Sequence, residues 1–224
     1  MPTQAISSYG VIMRMGDGVP LAPLAIAGAT NATPIVVDFG MPHGVVDVSF
    51  GTVAGVLGNL AANGAWVVER VNATALKLRG SVGNGAYAGG GTLTLDSTYA
   101  PIAEITDLGD LGGSATLVDV TSHDSDLWGS QIPTFLAGDA MRLMLNHVPA
   151  DPTHGAGSGL MYVLNNRVQR PFLVLLPDGA TGALKTVWHV ISYVTGWRSQ
   201  MPVNGALTAE ATLTPAGPLT LART

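Results

Sequence analysis

Leu207-Thr208-Ala209-Glu210-Ala211-Thr212-Leu213 alternates apolar and polar residues without a break. Successive side chains of a strand point to opposite faces, so this period of two marks a strand with one face on a core and one toward water. Met141, Leu143 and Leu145 repeat the pattern against Arg142, Met144 and Asn146. Residues 186–197 are rich in β-branched and aromatic side chains and are mostly apolar on both faces, which predicts that both faces are covered. Phe172 to Leu176 forms a short apolar strand ended by the turn signal Pro177-Asp178-Gly179. Earlier strands are predicted at 11–15, 35–39, 45–50, 66–71 and 115–121.

One helix stands among these strands. Leu160, Val163, Leu164 and Val168 recur at helical spacing. Ser158 is the expected N-cap, Arg167 and Arg170 lie where cations complement the helix dipole, and Pro171 stops the helix. Many short strands with one helix read as a mainly β protein, a sandwich or barrel carrying one packed α-helix.

Composition narrows the function. The chain has 224 residues, 47% hydrophobic and only 11% charged. An average domain is about 25% charged. Disorder needs the opposite balance. The net charge of −5 argues against a basic nucleic-acid binder. No run approaches the roughly 20 apolar residues of a membrane helix, so no membrane insertion is expected. The N-terminus lacks the features of a secretory signal, and a cytoplasmic origin is the simple expectation. With no cysteine there are no disulfides, thiolate metal sites or cysteine nucleophiles. Too few charges to cover the surface point to apolar area hidden against other copies.

Charge is unevenly distributed. The first 79 residues are neutral, residues 80–141 hold eight acids and no Lys or Arg, and the remainder is +3. The acidic stretch is either a solvated loop set, a surface that repels an anion, or one that docks on a basic face. Residues 25–91 are rich in Gly, Ala, Asn and Val and carry three acids and three bases. They read as an inserted small β domain, leaving 1–24 and 92–224 as a discontinuous main domain. Its low-complexity end, Gly83 to Gly91, lacks the Lys-Ser/Thr of a phosphate loop and is expected to be a turn or flexible hinge.

No enzyme is expected. The five histidines have no metal-ligand spacing. His189, in an apolar strand, reads as a hydrogen-bonded core or interface residue. Ser122-His123-Asp124 are neighbours in sequence, whereas a triad needs groups converging from separate elements. The expected catalytic, cofactor-binding and metal-binding residues are none, and no cofactor is implied.

An ordered set of motifs carries a resemblance. Pro101-Ile102-Ala103-Glu104-Ile105-Thr106-Asp107-Leu108 is followed by Leu117-Val118-Asp119-Val120-Thr121-Ser122-His123-Asp124-Ser125. Ser8-Tyr9-Gly10 and Gly16-Asp17-Gly18 precede them. Ala137-Gly138-Asp139, residues 146–153, residues 170–178, Tyr193-Val194-Thr195-Gly196, Pro202-Val203-Asn204 and residues 207–213 follow in order. Together they resemble the major tail, or tail tube, proteins of phages with long non-contractile (siphovirus-type) tails, over residues 1–18 and 97–224. Residues 25–37, 42–44, 55–59 and 61–66 are similar to a small β module found inserted in phage structural proteins.

The resemblance implies a virion protein assembled in the host bacterial cytoplasm. Its copies would form hexameric rings that stack head to tail into a hollow tube. Partners would be the chain itself, a tape-measure protein, the tail terminator, distal tail or baseplate proteins, and phage DNA passing without specific binding. The insert is expected on the outer wall, because six extra domains would obstruct the lumen. Asp107, Asp110, Asp124 and Asp126 are the candidates for an acidic lumen or a ring interface. Lumen acids would keep DNA from adhering, since phosphate affinity comes from Lys and Arg. The alternative is a glycan- or receptor-binding β-sandwich of a virion or cell surface.

Overall fold

The computed structural model describes residues 10–122, 128–177 and 184–223. The chain divides into two compact units. The first comprises the chain up to Ile102, Arg170–His189 and the chain from Thr220; the second comprises Ala103–Gln169 and Val190–Leu219.

Within the first unit, seven strands between Leu24 and Leu95 form an antiparallel sheet. They are β2 (Leu24–Ala25), β3 (Gly28–Ala29), β4 (Ile35–Asp38), β5 (Val48–Ala54), β6 (Gly64–Arg70), β7 (Ala75–Leu78) and β8 (Thr92–Leu95). Their spatial order is β2-β8-β5-β6-β7-β4-β3. Alternation places Ile35, Val37, Val53, Leu76, Leu78 and Leu93 in one core with Phe39. Separately, β1 (Ile12–Gly16) lies between β9 (Tyr99–Pro101) and β14 (Arg170–Pro177). The opening part of β15 (Leu184–Gln200) pairs with β17 (Thr220–Arg223). A smaller core joins Val48 and Val67 to Leu173, Leu175, Val187 and Ala222.

In the second unit, β13 (Met141–Asn146) lies between β10 (Ile105–Leu108) and β16 (Thr208–Pro215), and β16 pairs with residues 192–200 of β15. Here the alternation of the two marker stretches is realised. Met141, Leu143, Leu145, Ala209, Ala211 and Leu213 are buried, while Arg142 and Met144 face out. Two further strands, β11 (Gly113–Asp119) and β12 (Gln131–Gly138), pair with each other as a separate antiparallel hairpin. The fold is mainly β, and among the described residues it carries one α-helix, α1 (Leu160–Asn166).

Four local expectations are corrected. The cap of α1 is Gly159, without a side-chain cap bond, and not Ser158. A Cβ at position 159 would stand 2.4 Å from the Thr153 carbonyl oxygen, so the wound segment leading into the helix leaves room only for glycine there. Val168 lies beyond the helix, whose C-cap Arg167 adopts the left-handed conformation at φ 52°, and Arg170 belongs to β14. Residues 83–91 are no loose hinge. The Gly83 and Gly85 N–H groups bond Ala32 O and Asn31 Oδ1, the Asn84 N–H bonds Asn59 Oδ1, and the Tyr87 hydroxyl reaches Ile26 O and Gly90 O.

Strand β15 is not covered on both faces throughout. Val187 and His189 are buried, and then Val190, Ser192 and Val194, so the buried phase changes between His189 and Val190. That is where the chain passes from the first unit to the second. A change of phase makes a strand look apolar on both faces in sequence. Ile191 and Thr195 are in fact exposed. The turn at Pro177-Asp178-Gly179 falls largely outside the described residues.

Candidate functional site

The hairpin β11–β12 gathers exposed apolar side chains on two paired strands. Its register runs from Gly113 opposite Gly138 to Asp119 opposite Gln131, with a bulge between Ala115 and Leu117. Its base is fixed in the second unit. A Cβ on Gly138 would lie 2.6 Å from the Pro215 ring, so glycine permits the close approach. The Asp139 N–H bonds Gly112 O, and the Asp139 carboxylate accepts from Ser114 Oγ at 3.0 Å.

Beyond that base the side chains are bare. Trp128 is 84% exposed, Phe135 78% and Leu136 87%, and Leu117, Val118, Val120 and Ile132 are exposed with them. A lone two-stranded ribbon is marginal in water, and contiguous exposed apolar surface marks an interaction site. Residues directly opposite across an antiparallel pair share a face. Leu117 with Pro133, Ala115 with Leu136, and Asp119 with Gln131 therefore form one face, apolar along most of its length and acidic at one end. The Thr121 hydroxyl and N–H hold the exposed Asp119 carboxyl below the usual carboxylate range.

The candidate acids do not form one cluster. Asp107 on β10 is exposed and stands opposite Met144, which stands opposite Glu210, which stands opposite Arg198. Arg142 Nε lies 3.7 Å from Glu210 Oε1. Asp107 thus belongs to a row of mixed sign on the open face of the sheet. Asp110 is exposed in the connection between β10 and β11. Asp124 and Asp126 lie outside the described residues, as does His123. The second hairpin strand was missed in the sequence. Its signal is the run Ile132-Pro133-Thr134-Phe135-Leu136, interrupted by a proline that ordinarily demotes a strand.

Three of the described histidines, His43, His154 and His189, have structural partners. His189 is buried, 3.1 Å from Asp96 Oδ2 and stacked on Phe50 at 3.7 Å between centroids. Tyr99 donates to the same carboxylate; burial and the Asp96 charge push its phenol pKa up. His43 accepts from the Val45 N–H at Nδ1 and donates from Nε2 to Asn72 O. His154 does the same between the Val148 N–H and Ala103 O. Among the described residues no three His, Asp or Glu side chains gather to hold a metal, and no helix is long and apolar enough to cross a membrane.

No protein-family model matches the chain, and no curated protein sequence matches it. Solved structures do. A chain of the anti-feeding prophage baseplate aligns with 55% of this chain and 83% of its own length, at 12% identity and a TM-score of 0.44. A chain of the native gene transfer agent virion aligns over 55% and 88%, at 18% identity and TM-score 0.44. One from the sheath/tube terminator of an extracellular contractile injection system aligns over 54% and 86%, at 14% identity and TM-score 0.42.

Proposed function

We propose that this chain is a structural, non-enzymatic subunit of a phage-type tail, which assembles with copies of itself into stacked hexameric rings around a channel for DNA. The observation that carries this reading is the uncovered apolar hairpin. A surface rich in Leu, Ile, Phe and Trp, attached by a fixed base, gains its cover by association, and a many-copy assembly supplies that cover to every subunit. The resemblance of the ordered motifs to tail tube proteins supports this kind of assembly, with a tape-measure protein, terminator and baseplate proteins as partners. In this reading residues 25–91 are an inserted β domain on the outer wall. Asp107 and Asp110, with Asp124 and Asp126, contribute to the lumen or to ring contacts.

The test is assembly. Purified protein is concentrated and followed by sedimentation and negative-stain microscopy, with Leu136→Asp as the comparison. Rings or tubes that disappear in the variant are expected. A strictly monomeric protein, present in only a few copies per particle and binding a glycan, would replace this reading with that of a surface adhesin.

A further inference from the structure

The first unit contains a groove of about 600 Å³ whose lining includes Pro34, Trp66, Lys77, Arg79 and Leu221. Its wall is mostly apolar. The Trp66 indole N–H is engaged by Ala62 O, and Leu221 is 39% exposed. Its charge is set by a cross-strand pairing, because Glu69 on β6 stands opposite Lys77 on β7. Lys77 Nζ lies 3.0 Å from Glu69 Oε1, and Arg79 Nη2 lies 2.6 Å from Oε2. Lys77 and Arg79 share the Glu69 carboxylate, which places two cations along the groove.

The hairpin face of Leu117, Pro133 and Leu136 ending in Asp119 has the matching character, in a stretch of eight acids and no bases. We propose that the groove of one copy receives this hairpin face of a second copy, with Leu117 and Leu136 against Trp66 and Leu221, and Asp119 toward Lys77. The inference rests on the reading above that copies assemble, and it names the surface that receives the hairpin.

Two other cavities among the described residues fit less well. One of about 800 Å³ is lined by Leu136 itself and by Ser114, whose hydroxyl holds the Asp139 carboxylate, so an arriving acidic hairpin meets like charge. The other is about 150 Å³, against about 600 Å³ for the groove. Because groove and hairpin are different surfaces, each copy gives one hairpin and receives another. Such a heterologous contact closes into a ring or continues as a filament.

The absence of cysteine makes the test direct. Protein carrying only Leu221→Cys is mixed with protein carrying only Leu117→Cys and oxidised, so a disulfide dimer can form only between different chains. The expected result is a dimer band from this mixture, a ladder from the double variant, and no band when Val203→Cys, fully exposed, replaces Leu117→Cys. Asp119→Lys lowers the dimer yield about tenfold, and Lys77→Glu/Asp119→Lys restores it. Rings or tubes that form without a cross-link above the Val203→Cys level would overturn the groove while leaving the assembly reading intact. Wild-type protein that forms no assembly would overturn both.

Discussion

The seven-stranded sheet and the hairpin β11–β12 use the same residue types in opposite ways. In the sheet, Ile35, Leu76, Leu78 and Leu93 are fully buried. In the hairpin, comparable residues stand in water. The difference lies in what covers a strand rather than in its propensity. Every strand of the sheet has a partner and a core within the first unit, whereas among the described residues the hairpin has its partner strand and no core. The same residue types thus build a core in one region and stand exposed in the other.

The largest expected effect breaks the comparison outright. Leu93→Ala should lower monomer stability by about 2–5 kcal/mol through lost burial and a residual cavity. Leu136→Ala should leave monomer stability within about 0.5 kcal/mol while weakening assembly. Urea unfolding at a concentration where the protein is monomeric reads the first effect, and sedimentation reads the second. Equal losses of monomer stability would show that the hairpin face is covered within the chain.

A smaller effect probes how tightly the sheet's own connections are held. Gly58 has φ +83°, and a Cβ there would lie 2.0 Å from Ala86 O. Gly58→Ala should cost about 1–3 kcal/mol, whereas Gly217→Ala, with open space around it, should cost little. The urea midpoints of the two variants check this. If they coincided, the glycine-rich segment would be the flexible one of the two forms, turn or hinge, that its composition suggested.

The smallest effect is one of pH, in the second unit. Burial, followed by the nearby His154, pushes the His147 pKa below its ordinary value of 6.5. The unfolded chain therefore takes up a proton before the folded one does. The stability linked to His147 is complete above about pH 6.5 and is lost as pH falls from there toward the depressed folded value. His147→Gln should flatten the fall in urea midpoint between pH 7.5 and 5.5; an unchanged slope would assign the proton uptake elsewhere.

Some of this was legible in the residues. The alternation around Leu143 and Ala211 depends only on local periodicity, and it located two strands and their buried faces. His189 declared itself by its apolar surroundings. The helix cap was not legible, because Gly159 is selected by the Thr153 carbonyl of a preceding turn, a contact that no local propensity encodes. Asp107 reads as an acid in a loop-like position, but it lies on β10, and its place in a row with Glu210 and Arg198 depends on strand register. The bare face of the hairpin was hidden for a different reason. Leu117 and Leu136 look like core residues in sequence, and only the fold shows that nothing among the described residues covers them.

The change of phase in β15 has one more consequence. An ordinary amphipathic strand can slip by two residues against its neighbours and still point the same kinds of side chain inward, so such an error goes largely unpunished. A strand whose inward set runs Val187, His189, Val190, Ser192 has no such repeat. A slip of two in either direction drives Trp188 or Ile191 into the interior and expels a residue that fitted there. The strand behaves like a key with one asymmetric notch, and it carries its own check against misalignment.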